Sequence, residues 1–157
     1  MFSAGDKILY PMHGAGVIQD IEERDILGET KRYYILKFPF GDMSVMIPVD
    51  KGPDVGIRPI IPQSEIEAVF VVLHGESSEM SGNWNRRQRE NMDKLRTGDI
   101  MLVAEVVRNL LRLDRVKKLS TGEKKMLTNA KQILMSELVL AGDIDPLKVD
   151  DLVEDAV

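Results

Sequence analysis

The residues best suited to chemistry lie in one short stretch, NWNRRQRE, which begins at residue 83. It contains the only tryptophan of the chain, Trp84, followed within five residues by Arg86, Arg87 and Arg89. Guanidinium groups match the geometry of phosphate oxygens, and an indole ring can stack on a base or wedge against a base step in the minor groove. The stretch therefore predicts a contact with nucleic acid.

A structural role for Trp84 is equally open on the residues alone. Met92 and Leu95 follow it by eight and eleven positions, close to the same face of a helix, so the indole could extend an apolar core stripe. The neighbouring charges favour an exposed ring only slightly, because long arginine stems also cover buried rings.

Charge is unevenly distributed along the 157 residues, whose net charge is −5. Residues 84–131 hold thirteen Lys and Arg against six Asp and Glu, a balance of +7, whereas the segments on either side each stand at −6. Such segregation predicts one localised electropositive face on an acidic protein. Its further candidate phosphate contacts are Lys94, Lys124 and Lys125, and the same block contains Arg108, Arg112, Arg115, Lys117 and Lys118.

The sequence contains no recognisable catalytic or metal-binding pattern. It has no cysteine, and its two histidines, His13 and His74, fit a tight turn and the C-terminus of a helix. The patterns G-x-S-x-G, Walker A, Rossmann and H-E-x-x-H do not occur. We therefore expect a non-enzymatic protein with no catalytic residue, metal or cofactor. The missing cysteines and the lack of a long apolar segment predict a cytoplasmic protein without membrane contact.

Two kinds of secondary structure must position these residues, which predicts the α+β class. Alternating runs rich in Ile, Val, Tyr and Phe indicate four or five closely spaced antiparallel strands in a small barrel or bent sheet over residues 1–61. Helix signals dominate residues 62–157. We expect a flexible polar segment, 76–82, within this helical domain or at its boundary.

Capping signals set the expected helix boundaries. Ser64 with Glu67 predicts the first helix start, and Ser120 with Glu123 predicts the start of a long helix. The other predicted starts are at Asn83, at Asp99 and at Asp145-Pro146.

The edge of a small sheet is a natural receptor for a strand of a partner protein. The candidates for this contact are Arg24 and the strand MSVMIP, with Val45, Met46 and Ile47. The alternative is an edge covered by the chain itself.

The chain resembles the CarD/CdnL family of bacterial transcription regulators. The resemblance runs from GDKILYPMHGAGVI through NWNRRQRENMDKLRTGD and VAEVVRNL to LSTGEKKMLTNAKQIL. It implies an N-terminal Tudor-like domain, similar to the polymerase-interacting domain of the transcription-repair coupling factor, that docks on the RNA polymerase β subunit by strand pairing. It also implies a helical domain that contacts promoter DNA at the upstream edge of the melted bubble.

By this resemblance Trp84 becomes a minor-groove wedge that stabilises the open promoter complex, with Arg86 and Arg89 on the phosphates. Arg24 matches a polymerase-facing arginine, whereas Met46 stands where related proteins can carry a second one. We expect a monomer that binds promoter DNA weakly and largely without sequence preference. Two other functions remain open: a free-standing helix-turn-helix-like DNA-binding protein, and a protein-interaction adaptor without DNA contact.

Overall fold

The computed structural model describes residues 1–157 and confirms an α+β fold, with an antiparallel sheet followed by helices. The strands are β1 (Lys7–Tyr10), β2 (Gly14–Ile26), β3 (Glu29–Lys37), β4 (Ser44–Pro48) and β5 (Arg58–Pro59). The helices are α1 (Gly52–Val55), α2 (Ile66–His74), α3 (Trp84–Arg96), α4 (Ile100–Val116), α5 (Thr121–Gly142) and α6 (Val149–Ala156). None of them combines the length and apolar content needed to span a bilayer.

The five strands form one open antiparallel sheet in the order β4-β3-β2-β1-β5. A register shift between Ile18 and Asp20 marks a bulge, which bends β2. Leu27 and Gly28, both at positive φ, make the tight turn that joins β2 to β3. The sheet therefore has two edge strands, β4 and the two-residue strand β5.

Three of the predicted helix caps are confirmed. The side-chain oxygens of Asn83, Asp99 and Ser120 each accept a hydrogen bond from a backbone N–H group in the first turn of α3, α4 and α5. These bonds satisfy donors that the helix itself leaves free, which is why a short polar residue at each position fixes the helix start.

The other two predicted caps do not form at a helix start. A 3-10 turn, Gln63–Glu65, precedes α2, whose own first residue has no side-chain cap, so the box of Ser64 with Glu67 does not form. Asp145 caps a separate turn, and α6 begins only at Val149. In both places a backbone hydrogen bond within a turn satisfies the first N–H groups before the helix begins.

The core is divided between two clusters. The larger contains 24 buried residues, most of them helical, and two of the 24, Leu9 and Ala15, come from the sheet. The smaller lies within the sheet and contains Ile8, Ile18, Tyr34, Leu36 and Ile47. Neighbouring residues of β1 thus point to opposite clusters, as the period of a strand requires. The sheet and the helices share one packed interface.

The stretch PMHGAGV serves this interface and the turn before it. His13 lies exposed in the turn between β1 and β2, which confirms the turn interpretation. The N–H group of Ala15 donates to Ser136 Oγ at 2.8 Å. Gly14 has φ +122°, and a Cβ there would lie 3.0 Å from the same oxygen, so only glycine fits.

A buried ion pair also joins the sheet to the helices. Both guanidinium Nη atoms of Arg58 donate to the carboxylate of Glu137, at 2.7 and 2.8 Å. The side chain of Glu137 is 1% exposed and also accepts the N–H of Ile61. Arg58 donates in addition to the carbonyl of Gly98, ahead of α4. This pair fixes the strand β5 against α5.

Candidate functional site

Trp84 is the first residue of α3 and its side chain stands partly in solvent, with 44% of the residue exposed. Its indole Nε1–H donates to Ser120 Oγ at 3.2 Å. A Cβ added to Gly122 would lie 3.5 Å from Trp84 Cζ2. The ring therefore lies across the start of α5 and outside both buried clusters.

One face of α3 surrounds the ring with polar and cationic groups. It borders a shallow cavity of about 340 Å³. We call this surface the Trp84 face, and its residues are Trp84, Asn85, Gln88, Arg89, Met92 and Arg96. Met92 and Leu95 do form the apolar stripe of the alternative interpretation, with Met92 half-buried and Leu95 1% exposed in the larger cluster. The stripe ends at the surface with Trp84, whose ring stays partly in solvent. An indole beside guanidinium groups can meet a base step and its phosphates together.

The structure separates the other cations predicted to touch DNA. Arg86 points away from the Trp84 face and pairs with Glu90 at 2.9 Å. Lys94 is half-buried on α3 and is not part of the Trp84 face. Lys124 and Lys125 lie in the first turns of α5, after the residues that touch the indole, and line a second shallow cavity. Arg89 is thus the predicted cation on the same face as the ring.

Arg87 has a different role from the one its position in the sequence suggests. Its Nε and Nη2 atoms each donate to the carboxylate of Glu123 at 2.8 Å. The two side chains are only 17% and 5% exposed. The hydrogen bond to Glu123 raises the pKa of Arg87 above its ordinary value. Arg87 therefore fastens α3 to α5, and we do not include it among the phosphate contacts.

Arg108 and Arg112 do not form the predicted phosphate-facing surface. Both donate to carbonyl oxygens at the end of α2, including those of Val72 and Gly75. They also bond the hydroxyls of Ser78 and Ser77. Burial lowers the pKa of Arg108. The carbonyl groups at a helix C-terminus attract these cations, which fill the capping role expected of His74.

The C-terminal helix accounts for two more of the basic residues. Arg115 donates to the carbonyls of Glu154 and Val157, and Lys131 pairs with Asp150 and Glu154. Burial opposes the charge on Lys131, but hydrogen bonds to these carboxylates outweigh it and raise its pKa. Five of the thirteen cations in residues 84–131 thus hold other parts of the chain together.

The sheet presents a second candidate surface at its β4 edge. β4 pairs only with β3, so one side of its backbone is free. Met46 is 46% exposed, and the register places it on the same face of the sheet as Arg24, which is also exposed. Val45 is half-buried against the smaller cluster. Ile47 is 1% exposed, so its side chain belongs to the core and cannot contact a partner.

Several residues of these surfaces are not among the predicted ones. Asn85 and Arg96 follow from the period of α3, because they fall on the same helical face as Trp84. The sequence around Ser120 and Glu123 indicates only that these residues cap a helix. Their contacts with Trp84 and Arg87 join residues 36 positions apart, and no pattern in either segment specifies them.

Comparison with known proteins places both parts of the chain. The domain family "CarD-like/TRCF RID domain" matches residues 2–61, and the family "CarD, C-terminal domain" matches residues 68–154. The protein named "Putative transcription factor YdeB" of Bacillus subtilis (strain 168) is 44% identical over 139 residues, which cover 88% of this chain and 90% of that protein. The two matches together cover the sheet and the helices, and the chain therefore belongs to the CarD family.

Proposed function

We propose that this protein is a non-enzymatic transcription regulator that stabilises the open promoter complex. Residues 1–61 bind the β subunit of RNA polymerase, and residues 62–157 contact DNA at the upstream edge of the melted bubble. The observation that carries this proposal is the exposed indole of Trp84 beside Arg89 on one face of α3. The match to the CarD-like/TRCF RID domain and the name of the Bacillus subtilis relative support the role in transcription.

On DNA, the indole acts as a wedge in the minor groove. An apolar ring inserted at a base step stabilises a distorted duplex, and it can favour the melted state only by binding that state more tightly. Arg89 is placed to hold a neighbouring phosphate. The other cations proposed for phosphate contact are Arg86, Lys94, Lys124 and Lys125.

On the polymerase, the β4 edge accepts a strand of the β subunit. Backbone hydrogen bonds to a free strand edge provide affinity, and the side chains beside it provide selectivity. Met46 and Arg24 face the same side of the sheet. They are separated by four residues along the strand direction and by two strands across the sheet. That separation is on the order of 16 Å, so both side chains fit within one docking surface. With Met46 in place of a cation, part of this contact is apolar.

Binding to RNA polymerase, which tethers the protein near promoter DNA, explains how an acidic protein uses a small basic surface. A monomer held on polymerase meets promoter DNA at a high effective concentration, so weak contacts that are largely independent of sequence suffice. The net charge of −5 disfavours binding to DNA elsewhere.

Changing Met46 to Asp tests the tether. The new carboxylate lies beside the free strand edge, where docking would bury it, so we expect roughly tenfold weaker binding to the isolated β-subunit lobe. Isothermal titration calorimetry measures this affinity. The promoter-opening effect should fall in parallel at protein concentrations near the parent dissociation constant.

The matched control is Leu147→Asp, which also places a carboxylate at an exposed apolar position, 90% exposed, but outside the sheet. It should bind the lobe as the parent does. If the Met46 variant keeps full lobe affinity, the β4 docking surface is wrong. If the Met46 variant no longer binds the lobe but opens promoters as the parent does, the free-standing DNA-binding alternative is correct.

A further inference from the structure

The indole of Trp84 is held by the residue that caps the neighbouring helix. We propose that Ser120 is a positioning residue, which fixes the orientation of the Trp84 ring before DNA binds. This inference rests on the proposed function of Trp84 as a wedge, and it names the residue that orients the wedge.

One oxygen atom connects the ring to the helix start. Ser120 Oγ accepts the indole N–H at 3.2 Å and the backbone N–H of Glu123 at 3.3 Å. A hydroxyl has two acceptor lone pairs, so it can receive both bonds at once. The cap bond fixes the hydroxyl on α5, and the fixed hydroxyl restricts rotation of the indole.

The helix that carries the hydroxyl is itself fastened to α3. In a capping box, the third-position glutamate returns to the backbone of its own cap residue. Here the carboxylate of Glu123 instead forms the buried bidentate pair with Arg87, three residues after Trp84. The starts of α3 and α5 are therefore locked together at the level of the ring.

Packing supports the same arrangement. A Cβ on Gly122 would make only ordinary van der Waals contact with the ring at 3.5 Å, so the indole lies directly over this turn of α5. The ring thus has a hydrogen bond at its nitrogen and a helix turn along one side, while 44% of the residue stays exposed. A side chain that is held in its binding orientation loses less rotational entropy on insertion.

Two substitutions at Ser120 separate positioning from capping. Thr and Gly rank about equally as N-cap residues, but only Thr offers a hydroxyl to the indole. Ser120→Thr should therefore keep the parent behaviour, and Ser120→Gly should free the ring. Thermal unfolding of both variants verifies that the cap contributes equally in the two.

The ring can be observed directly because Trp84 is the only tryptophan. In the free protein, we expect Ser120→Gly to raise acrylamide quenching and speed the anisotropy decay of the indole. On a promoter with polymerase, the open-complex lifetime should shorten by about two- to tenfold, the range expected for one hydrogen bond. Ser120→Thr should match the parent in all three measurements.

The outcomes distinguish this proposal from the one it rests on. If Ser120→Gly matches the parent in quenching, anisotropy and lifetime while Trp84→Ala shortens the lifetime, then Ser120 does not position the ring and the wedge stands. If Trp84→Ala also leaves the lifetime unchanged, the wedge function itself is wrong, whatever the fluorescence of the Ser120 variants shows.

Discussion

Replacing Trp84 by alanine is expected to remove most of the open-complex stabilisation while polymerase binding and fold stability stay close to those of the parent. The ring is exposed and lies outside both buried clusters, so its loss leaves no core cavity. An aromatic contact with a base contributes about 1–3 kcal/mol, which corresponds to roughly a five- to 150-fold shorter lifetime. The measurement is the decay of heparin-resistant open complexes.

Trp84→Phe is the matched control for this experiment. It keeps an aromatic wedge but cannot donate to Ser120, so its open-complex lifetime should lie between those of the alanine variant and the parent. An alanine variant whose open complexes last as long as those of the parent would exclude the wedge.

Arg58→Met is expected to lower the free energy of unfolding by about 3–5 kcal/mol, since removing one partner of a buried ion pair leaves the other charge unpaired. The carboxylate of Glu137 would keep only the N–H of Ile61 as a partner, and the carbonyl of Gly98 would lose two hydrogen bonds. The exposed part of the Arg58 side chain, 29%, favours the lower end of this range. Urea unfolding measures the change.

Adding Glu137→Gln to Arg58→Met should recover much of the lost stability. The amide carries no charge and its oxygen can still accept the N–H of Ile61. Equal stability of the single and double variants would show that the unpaired carboxylate is not the source of the loss. A single variant as stable as the parent would show that the ion pair does not fasten the sheet to α5.

Local signals predict much of this fold. The alternation of apolar residues predicts the strands, and Asn83, Asp99 and Ser120 predict three helix starts. Both kinds of prediction succeed because strand alternation and helix capping depend on residues only a few positions apart. The errors at Ser64 and Asp145 have the same local origin. Residues that cap helices also favour turns. Ser64 and Asp145 each lie in a turn next to a proline, and the helix begins only after that turn.

The functional surfaces depend more on contacts between distant segments. A count of charge cannot tell which cations face solvent, and Arg87, Arg108 and Arg112 turn out to bond carboxylate and carbonyl groups 36 or more positions away. The pair of Arg58 and Glu137 spans 79 positions. The charged residues beside Trp84 slightly favour an exposed ring, so its exposure could be partly predicted from the sequence. Its hydrogen bond to Ser120 could not, because it depends on how the helices pack.

The most direct test of the wedge is to identify what residue 84 touches in the assembled complex. A photoreactive phenylalanine analogue in place of Trp84 would be crosslinked to promoter DNA in the presence of RNA polymerase, and the modified bases mapped. We predict crosslinks confined to the upstream edge of the melted bubble and lost when polymerase is omitted. Crosslinks spread equally along naked duplex, or none to DNA at all, would contradict this account.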